Sequence, residues 1–316
     1  MSDHFYRAFE DRYRGSREII KGRLAPYLPF IQPLAEQYPG APALDLGCGR
    51  GEWLEVLAAT GLKHLGVDRD EDMLNACHVL GLSACRGDAI EYLCTLPDNS
   101  QAIVSAFHVV EHLSFDDLRK LVANAVRVLK PGGLLIMETP SPENIAVATC
   151  HFYLDPTHRR PIPPALLSFV AEYHGFKRVK IIRLHESTEL AQCDAPALKD
   201  VFQGVSPDYA VIAQKEAAAT MLAATQMAFD QEYGLTLETL SARYDVTTQL
   251  KVQQAEARVY QLEVHTSELE VHASYLEDQA SQLADQLDAL VNSRSWKLTK
   301  PLRWVSERLR FLVAKA

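Results

Sequence analysis

The residues best placed to do chemistry begin with Leu44-Asp45-Leu46-Gly47-Cys48-Gly49-Arg50-Gly51, three alternating glycines between a short apolar run and a helical stretch, Glu52 to Ala59. Glycines at such a turn let the backbone approach a ligand closely and enter a helix at its N-terminus. A dinucleotide fingerprint needs Gly-x-Gly-x-x-Gly, and here the third glycine arrives one residue early. Asp45, two residues ahead of Gly47, suits a cationic head such as the amino group of an amino acid better than a pyrophosphate. Asp68 closes the next apolar run, where a carboxylate can accept two hydrogen bonds from a ribose diol. Gly87-Asp88-Ala89 follows the third run, and Asp88 is either an acceptor for an exocyclic adenine amine or a helix N-cap. Phe107-His108 ends the fourth, and His108 is either part of the reaction centre or a buried core histidine.

Two places offer a general base. In Val110-Glu111-His112-Leu113, His112 is a base with Glu111 as its orienter, or the pair contributes to a divalent-metal site, or both cap the local turn. The second place is the long loop Pro140 to Pro164, containing His151-Phe152-Tyr153-Leu154-Asp155-Pro156-Thr157-His158-Arg159-Arg160-Pro161. Loops of that length are usually functional. Tyr153 can stack on a sugar face, Asp155 or His158 can act as base, and Arg159 or Arg160 can hold a phosphate or carboxylate. A proline-braced lid without chemistry is the competing reading. The aromatic, basic run from Phe5 to Arg17 adds Tyr13, Arg14 and Arg17, either as groups that reach the site or as a solvated basic helix.

These residues need a scaffold, and the pattern supplies one. Strands are expected near 42–46, 63–67, 82–86, 101–107 and 133–139, separated by helical stretches, which is the signature of a parallel sheet with crossover helices. Runs near 177–184 and 208–215 lie close enough in sequence to pair as an antiparallel edge. A helix from Asp116 to Leu129 should stop at Lys130-Pro131-Gly132-Gly133. Four segments separate: a basic helical cap over 1–40, the α/β domain over 41–215, a helical linker and coiled coil over 216–293, and a basic amphipathic helix over 294–316. In the third, Leu262, Leu269, Leu276, Leu283 and Leu290 recur every seven residues. Val259, Thr266, Ala273, Ala280 and Leu287 stand three residues before each, an a/d seam that fits two or three strands.

The net charge of −9 hides an asymmetry: 294–316 carries seven Lys/Arg against Glu307, so +6, which leaves −15 on residues 1–293. An acidic body argues against nucleic acid as a partner. The tail places Leu298, Leu302, Val305, Leu309 and Leu312 on one helical face, with Trp296, Trp304 and Phe311 among its cations. It either lies on an anionic membrane surface or packs on the coiled coil. Six cysteines without a Cys-x-x-Cys pair read as reduced thiols, no secretory signal is expected, and no apolar run nears the roughly 20 residues that cross a bilayer. A cytoplasmic protein peripheral to the membrane's inner face is the expectation.

Residues 41–215 resemble the class I S-adenosylmethionine-dependent methyltransferases. The resemblance implies an α/β, seven-stranded doubly wound Rossmann-like sheet whose last strand is antiparallel, and S-adenosyl-L-methionine as cofactor. It implies that Asp45, Gly47 and Gly49, with Cys48 between them, line the methionine end, that Asp68 holds the ribose and that Asp88 and Ala89 hold the adenine. His108 would border the sulfonium, and Arg14 and Arg17 would belong to an extension that closes over cofactor and substrate.

A narrower resemblance covers most of the chain. Arg-Gly-Ser-Arg at 14–17, Asp-Pro-Thr-His-Arg-Arg-Pro at 155–161 and Ser-Trp-Lys-Leu-Thr-Lys-Pro-Leu-Arg at 295–303 are similar to bacterial surface-polysaccharide methyltransferases, including the lipopolysaccharide O-antigen chain-terminating enzymes. It implies O-methylation of the non-reducing terminal sugar of a lipid-linked glycan, self-association, and work beside a glycosyltransferase polymerase. A small-molecule O-methyltransferase of the ubiquinone-pathway type, and a non-catalytic scaffold for a glycosyltransferase, are the alternatives.

Overall fold

The computed structural model describes residues 15–313, with side chains given through Arg308. Among the described residues two short helices come first, α1 (Arg17–Arg23) and α2 (Leu28–Gln37). Then follow β1 (Pro42–Leu46), α3 (Glu52–Ala59), β2 (Lys63–Asp68), α4 (Glu71–Val79), β3 (Ala84–Arg86), α5 (Ala89–Thr95) and β4 (Gln101–Phe107). The chain continues through α6 (Phe115–Val128), β5 (Leu129–Pro140), α7 (Ile145–Thr149), α8 (Pro164–Tyr173) and β6 (Arg178–Leu184). After α9 (Thr188–Ala191) and α10 (Leu198–Gln203) comes β7 (Asp208–Gln214), then α11 (Ala219–Ala223), α12 (Gln226–Asp230) and α13 (Leu237–Asn292). Two further helices, α14 (Arg294–Leu298) and α15 (Lys300–Val313), follow.

The seven strands form one sheet in the order β3-β2-β1-β4-β5-β7-β6. The first five strands run parallel, and β7 is antiparallel to both β5 and β6. Helices cover both faces, so the central strands are apolar on both sides. Within β4 and β5, Ile103, Leu134 and Ile136 face one core with Phe30, Trp53 and Leu54. Their neighbours Val104, Leu135 and Met137 face the other with Leu118, Leu121 and Leu167. Helix α6 shows how the second layer is written: Leu118, Leu121, Val122, Ala125 and Val128 recur at helical spacing and are buried, and Ser114 caps the helix through Asp117 N.

The chain order reverses between β1 and β4, and in open α/β sheets the crevice at that point, beyond the carboxyl ends of the strands, receives ligands. Three local differences from expectation have simple causes. The Lys130-Pro131-Gly132-Gly133 segment stays extended within β5, Gly132 at φ +73° turning it while the register against β4 shifts. The 1–40 segment is no separate cap where it is described, because Tyr27, Phe30, Ile31 and Leu34 are buried in the core of the sheet. The linker after residue 215 belongs with the α/β body through Thr247: Leu240 is buried, and Arg243 donates to the carbonyls of Ala191 and Cys193.

The second compact unit begins at Thr248. In it the remainder of α13 is a single uninterrupted helix with every side chain from 248 to 292 exposed. Ser293 caps α14, and the Arg303 guanidinium stacks on the Trp296 ring at 3.6 Å. Among the described residues no helix is long and apolar enough to cross a membrane.

Candidate active site

A cavity of about 650 Å³ opens at the carboxyl ends of β1, β2, β4 and β5, within the usual size of a small-molecule site. Asp45, Gly47, Cys48, Gly49, Asp68, Asp88, Ala89, His108, His112, Asp155 and His158 all line it. The glycine turn is strained for anything larger. Gly47 has φ +69°, and a Cβ there would stand 2.5 Å from Val109 Cγ2. Gly51 at φ +82° is the N-cap of α3. Asp45 is buried and accepts from Ser105 Oγ at 2.7 Å. Asp68 accepts from Gly49 N at 2.8 Å and from Asp70 N at 2.9 Å, so one carboxylate fixes both the glycine turn and the entry to α4. Asp88 caps α5 through Ile90 N and Glu91 N and pairs with Arg69; N-cap and cavity wall are the same residue. Burial and a hydrogen bond with Cys77 keep the Cys48 thiol protonated, Cys77 contributing the larger effect.

On the same cavity lies a polar network that the sequence did not disclose. His108, at φ +54°, lies 3.3 Å by Nδ1 from Glu111 Oε1 and 3.2 Å by Nε2 from Glu138 Oε1. Burial would lower its pKa, but the two carboxylates outweigh burial and raise it well above the ordinary imidazole value. The two carboxylates thus favour the protonated form of His108. Tyr27 Oη donates to Glu138 Oε2, and burial of Glu138 is outweighed by His108 and His185, so its carboxyl is lowered. His185 Nδ1 sits 2.9 Å from Asp208 Oδ2 on the same cavity. The one local signal was Glu138 itself, a charge ending the apolar run Leu134-Leu135-Ile136-Met137.

Across the cavity, the loop after β5 is more ordered than its composition suggested. It holds α7 and a 3-10 turn over His151–Leu154, anchored by buried Phe152 and Ile162. Thr157 Oγ1 donates to Asp155 Oδ1 at 2.6 Å and lies 2.9 Å from His112 Nδ1. With the hydroxyl proton committed to Asp155, the His112 Nδ1–H must donate to Thr157, and Nε2 is left as the basic nitrogen. Burial, its largest influence, pulls the His112 pKa below the ordinary value, so the ring is neutral at pH 7. Burial would raise Asp155, but the hydrogen bonds from Thr157 lower it overall, and it is ionised. His158 Nδ1 donates to Phe152 O at 2.6 Å, and its Nε2 is 3.9 Å from both Glu111 Oε1 and Asp155 Oδ2. Glu111 accepts from Thr139 Oγ1 at 3.0 Å, so it braces His108 and β5 and does not orient His112.

Other candidates stand apart from the cavity wall. Tyr153 is 62% exposed with its ring against Phe152, Arg159 is exposed, and Arg160 lies over the Phe115 ring at 5.2 Å. Arg17 is engaged with Glu55 Oε2 at 2.8 Å, Glu52 Oε1 at 3.4 Å and Arg50 O at 2.8 Å, which locks α1 to α3 rather than reaching a substrate. Arg14 lies outside the described residues.

The donor set fits S-adenosylmethionine. Three aspartates on consecutive strand ends face one cavity, where anionic groups favour a sulfonium and an ammonium, and the glycine turn admits a backbone approach that a Cβ would block. Asp45 and the glycine turn would hold the amino acid, Asp68 the ribose, and Asp88 with Ala89 the adenine. Glu111, His112 and His158 also present donor atoms within 4.8 Å of one another, a carboxylate and two imidazoles of the kind that suits a divalent transition metal.

Comparison with known proteins agrees with this geometry. Residues 44–137 match the Methyltransf_11 family, "Methyltransferase domain". A probable S-adenosylmethionine-dependent methyltransferase of Mycolicibacterium smegmatis is 30% identical over 168 residues, 52% of this chain and 63% of that protein. The ubiquinone biosynthesis O-methyltransferase of Methylococcus capsulatus is 34% identical over 124 residues, 35% of this chain and 52% of that protein. The chain thus spans between half and two thirds of the length of these curated relatives. A crystal structure of a SAM-dependent methyltransferase from Archaeoglobus fulgidus superposes with a TM-score of 0.59 at 34% identity, covering 67% of this chain and all of the other. A solved relative matched along its whole length, on a sheet whose strand ends carry these aspartates, shows that the chain belongs to the S-adenosylmethionine-dependent methyltransferases.

Proposed function

We propose that the acceptor is a hydroxyl oxygen on the non-reducing terminal sugar of a lipid-linked bacterial surface polysaccharide, so that methylation ends the chain and limits its length. The observation that carries O-methylation is the Asp155–Thr157–His112 relay, which presents a neutral imidazole to the cavity. When bound, S-adenosylmethionine would supply an electrophilic methyl group, its carbon–sulfur bond breaking with the electron pair kept on sulfur as a neutral thioether. His112 Nε2 takes the proton of the acceptor hydroxyl as its oxygen gains the new carbon bond, and Thr157 and Asp155 stabilise the imidazolium that forms. Supporting a sugar over an apolar acceptor, His112, His151, Asp155, Thr157, His158 and Arg23 bring polar groups to one cavity.

The basic tail, with exposed Leu298, Leu302 and Trp304 beside Lys297, Lys300 and Arg303, supports a peripheral position on an anionic membrane where lipid-linked acceptors reside. Incubating the full chain with methyl-labelled cofactor and lipid-linked glycan should label the terminal sugar. Deleting 294–316 should release the protein from anionic vesicles while turnover on a soluble glycan persists.

The Methylococcus capsulatus relative favours a second reading, methylation of a small phenol of the ubiquinone-pathway type. Label entering catechol-type phenols and never glycan would establish that reading in place of the first. Loss of turnover on chelation, restored by one divalent ion, would assign the Glu111, His112 and His158 donors to a metal and not to proton transfer.

A further inference from the structure

On the reading of the cavity as an O-methyltransferase site, we infer that Asp208, with Glu138 and His108 beside it, receives a second hydroxyl group of the acceptor, one that is recognised and not methylated. The cofactor candidates Asp45, Asp68 and Asp88 belong to β1, β2 and the turn after β3. His108, Glu138, His185 and Asp208 line the same cavity from the ends of β4, β5, β6 and β7. The Asp155–Thr157–His112 relay uses none of these four.

The sheet brings the group together. Asp208 opens β7 opposite Leu184, which ends β6, and Pro140, which ends β5. Glu138 lies two residues before Pro140, so it and Asp208 leave the sheet on one face. One side-chain atom each of His108, Glu138 and Asp208 comes within 4.8 Å of the other two. His185 holds Asp208 in place: its Nδ1 is 2.9 Å from Asp208 Oδ2, and its Nε2 is 3.3 Å from the carbonyl oxygen of Arg23. Tyr27 does the same for Glu138. His108 and His185 keep φ at +54° and +69°, a cost that non-glycine residues bear where their surroundings fix them. Asp208 Oδ1 has no hydrogen-bond partner among the described residues, on a side chain that is 16% exposed and lines the cavity.

Oδ1 can accept a hydrogen bond from a ligand while Oδ2 keeps His185. Which donor fits follows from the charges around it. Burial disfavours protonated imidazoles here, but the carboxylates outweigh it, so Glu111, Glu138 and Asp208 face His108 and His185 as ion pairs, with Arg23 on the same cavity. The opposite charges nearly balance. An added ammonium would meet the two imidazoles, and an added anion the three carboxylates, in a site where an uncompensated charge is costly. A hydroxyl brings a donor for Asp208 without a charge. The acceptor class that this fits is a neutral sugar ring with several hydroxyls, in place of one that sets a carboxylate or a free amine here.

The test measures methyl transfer from labelled cofactor to lipid-linked glycan by the full chain, with KM and kcat separated. Asp208→Asn should raise the glycan KM roughly 10- to 150-fold, the span of a lost hydrogen bond to a charged group, with kcat within about threefold and cofactor affinity unchanged. His185→Gln, which acts only through Asp208, should raise KM less, and the double variant should fall short of the sum of the two effects. An unchanged KM in Asp208→Asn, or a loss confined to kcat, overturns the subsite while glycan methylation stands. Should Asp208→Asn fail to fold or to bind cofactor, Asp208→Glu, which pushes the carboxylate into the space of the hydroxyl, is measured with the same expectation. Label in catechol-type phenols and never in glycan would end the glycan reading. The subsite is then decided by KM for a phenol with a neighbouring hydroxyl against one without, of which Asp208→Asn should raise only the first. Label in neither acceptor class overturns both. Mn²⁺ bound by the unaltered chain and lost in Asp208→Asn would replace the hydroxyl with a metal at His108, Glu138 and Asp208.

Discussion

His112 Nδ1 and Thr157 Oγ1 meet at 2.9 Å, joining the turn after β4 to the loop after β5 across the mouth of the cavity. Because Thr157 gives its own proton to Asp155, the contact fixes which ring nitrogen of His112 is basic.

Replacing His112 with Gln should therefore lower kcat by roughly 10²- to 10⁴-fold, the span of a lost general base, with cofactor affinity unchanged. Burial lowers the His112 pKa, so the rate should rise with pH and level off with an inflection below the ordinary imidazole value of about 6.5. Thr157→Val should cost less and move the inflection. A pH–rate profile of the three proteins checks this, and identical profiles would remove His112 from proton transfer.

Stability should pass through a maximum in mild acid. Glu138 is lowered, so its contribution is present above the unfolded carboxyl value of about 4.3 and is lost as pH falls through its folded value. His108 and His185 are raised, so their contributions are present below about 6.5 and are lost as pH rises through their folded values. Thermal unfolding should be highest between about pH 4.5 and 6.5. His108→Gln should flatten the alkaline side of that curve. Tyr27→Phe should destabilise by about 1.5–3 kcal/mol, the worth of a hydrogen bond to a charged group.

Gly47 and Val109 should behave as a coupled pair. A methyl group on Gly47 meets Val109 Cγ2 at 2.5 Å, and φ +69° adds backbone strain. Gly47→Ala should cost on the order of 1–3 kcal/mol, of which Val109→Ala in the same chain should restore a part, leaving the backbone contribution. Denaturant unfolding of the two single variants and the double variant measures it; strict additivity would mean that the contact is absent.

The sheet was legible in the sequence, and so was the grouping of the candidate cofactor residues around one cavity, because both follow from local pattern. The parallel strands are short runs centred on apolar residues, and Asp45, Asp68, Asp88 and His108 each lie within two residues of the carboxyl end of one. Helix α6 ends where the Lys130-Pro131-Gly132-Gly133 stop signal places it; that this segment lies within β5 was not legible, because it forms an irregularity between the Gln101–Leu129 and Ile103–Leu134 pairings, with Gly132 at φ +73°. The acceptor side was only partly legible. Tyr27, Glu138, His185 and Asp208 come from four distant stretches, and no spacing along the chain joins them. Arg17 carried the right chemistry for a substrate anion, yet Glu52 and Glu55 on α3 claim its guanidinium, a contact visible only once the chain is folded.

Asp68 and the glycine turn act as one receptor for the cofactor, and calorimetric titration of the chain with S-adenosylmethionine tests this directly. One molecule should bind per chain, and Asp68→Ala should weaken binding by about 1.5–3 kcal/mol, roughly 10- to 150-fold. Binding of equal strength in that variant, or no heat with the unaltered chain, would contradict it.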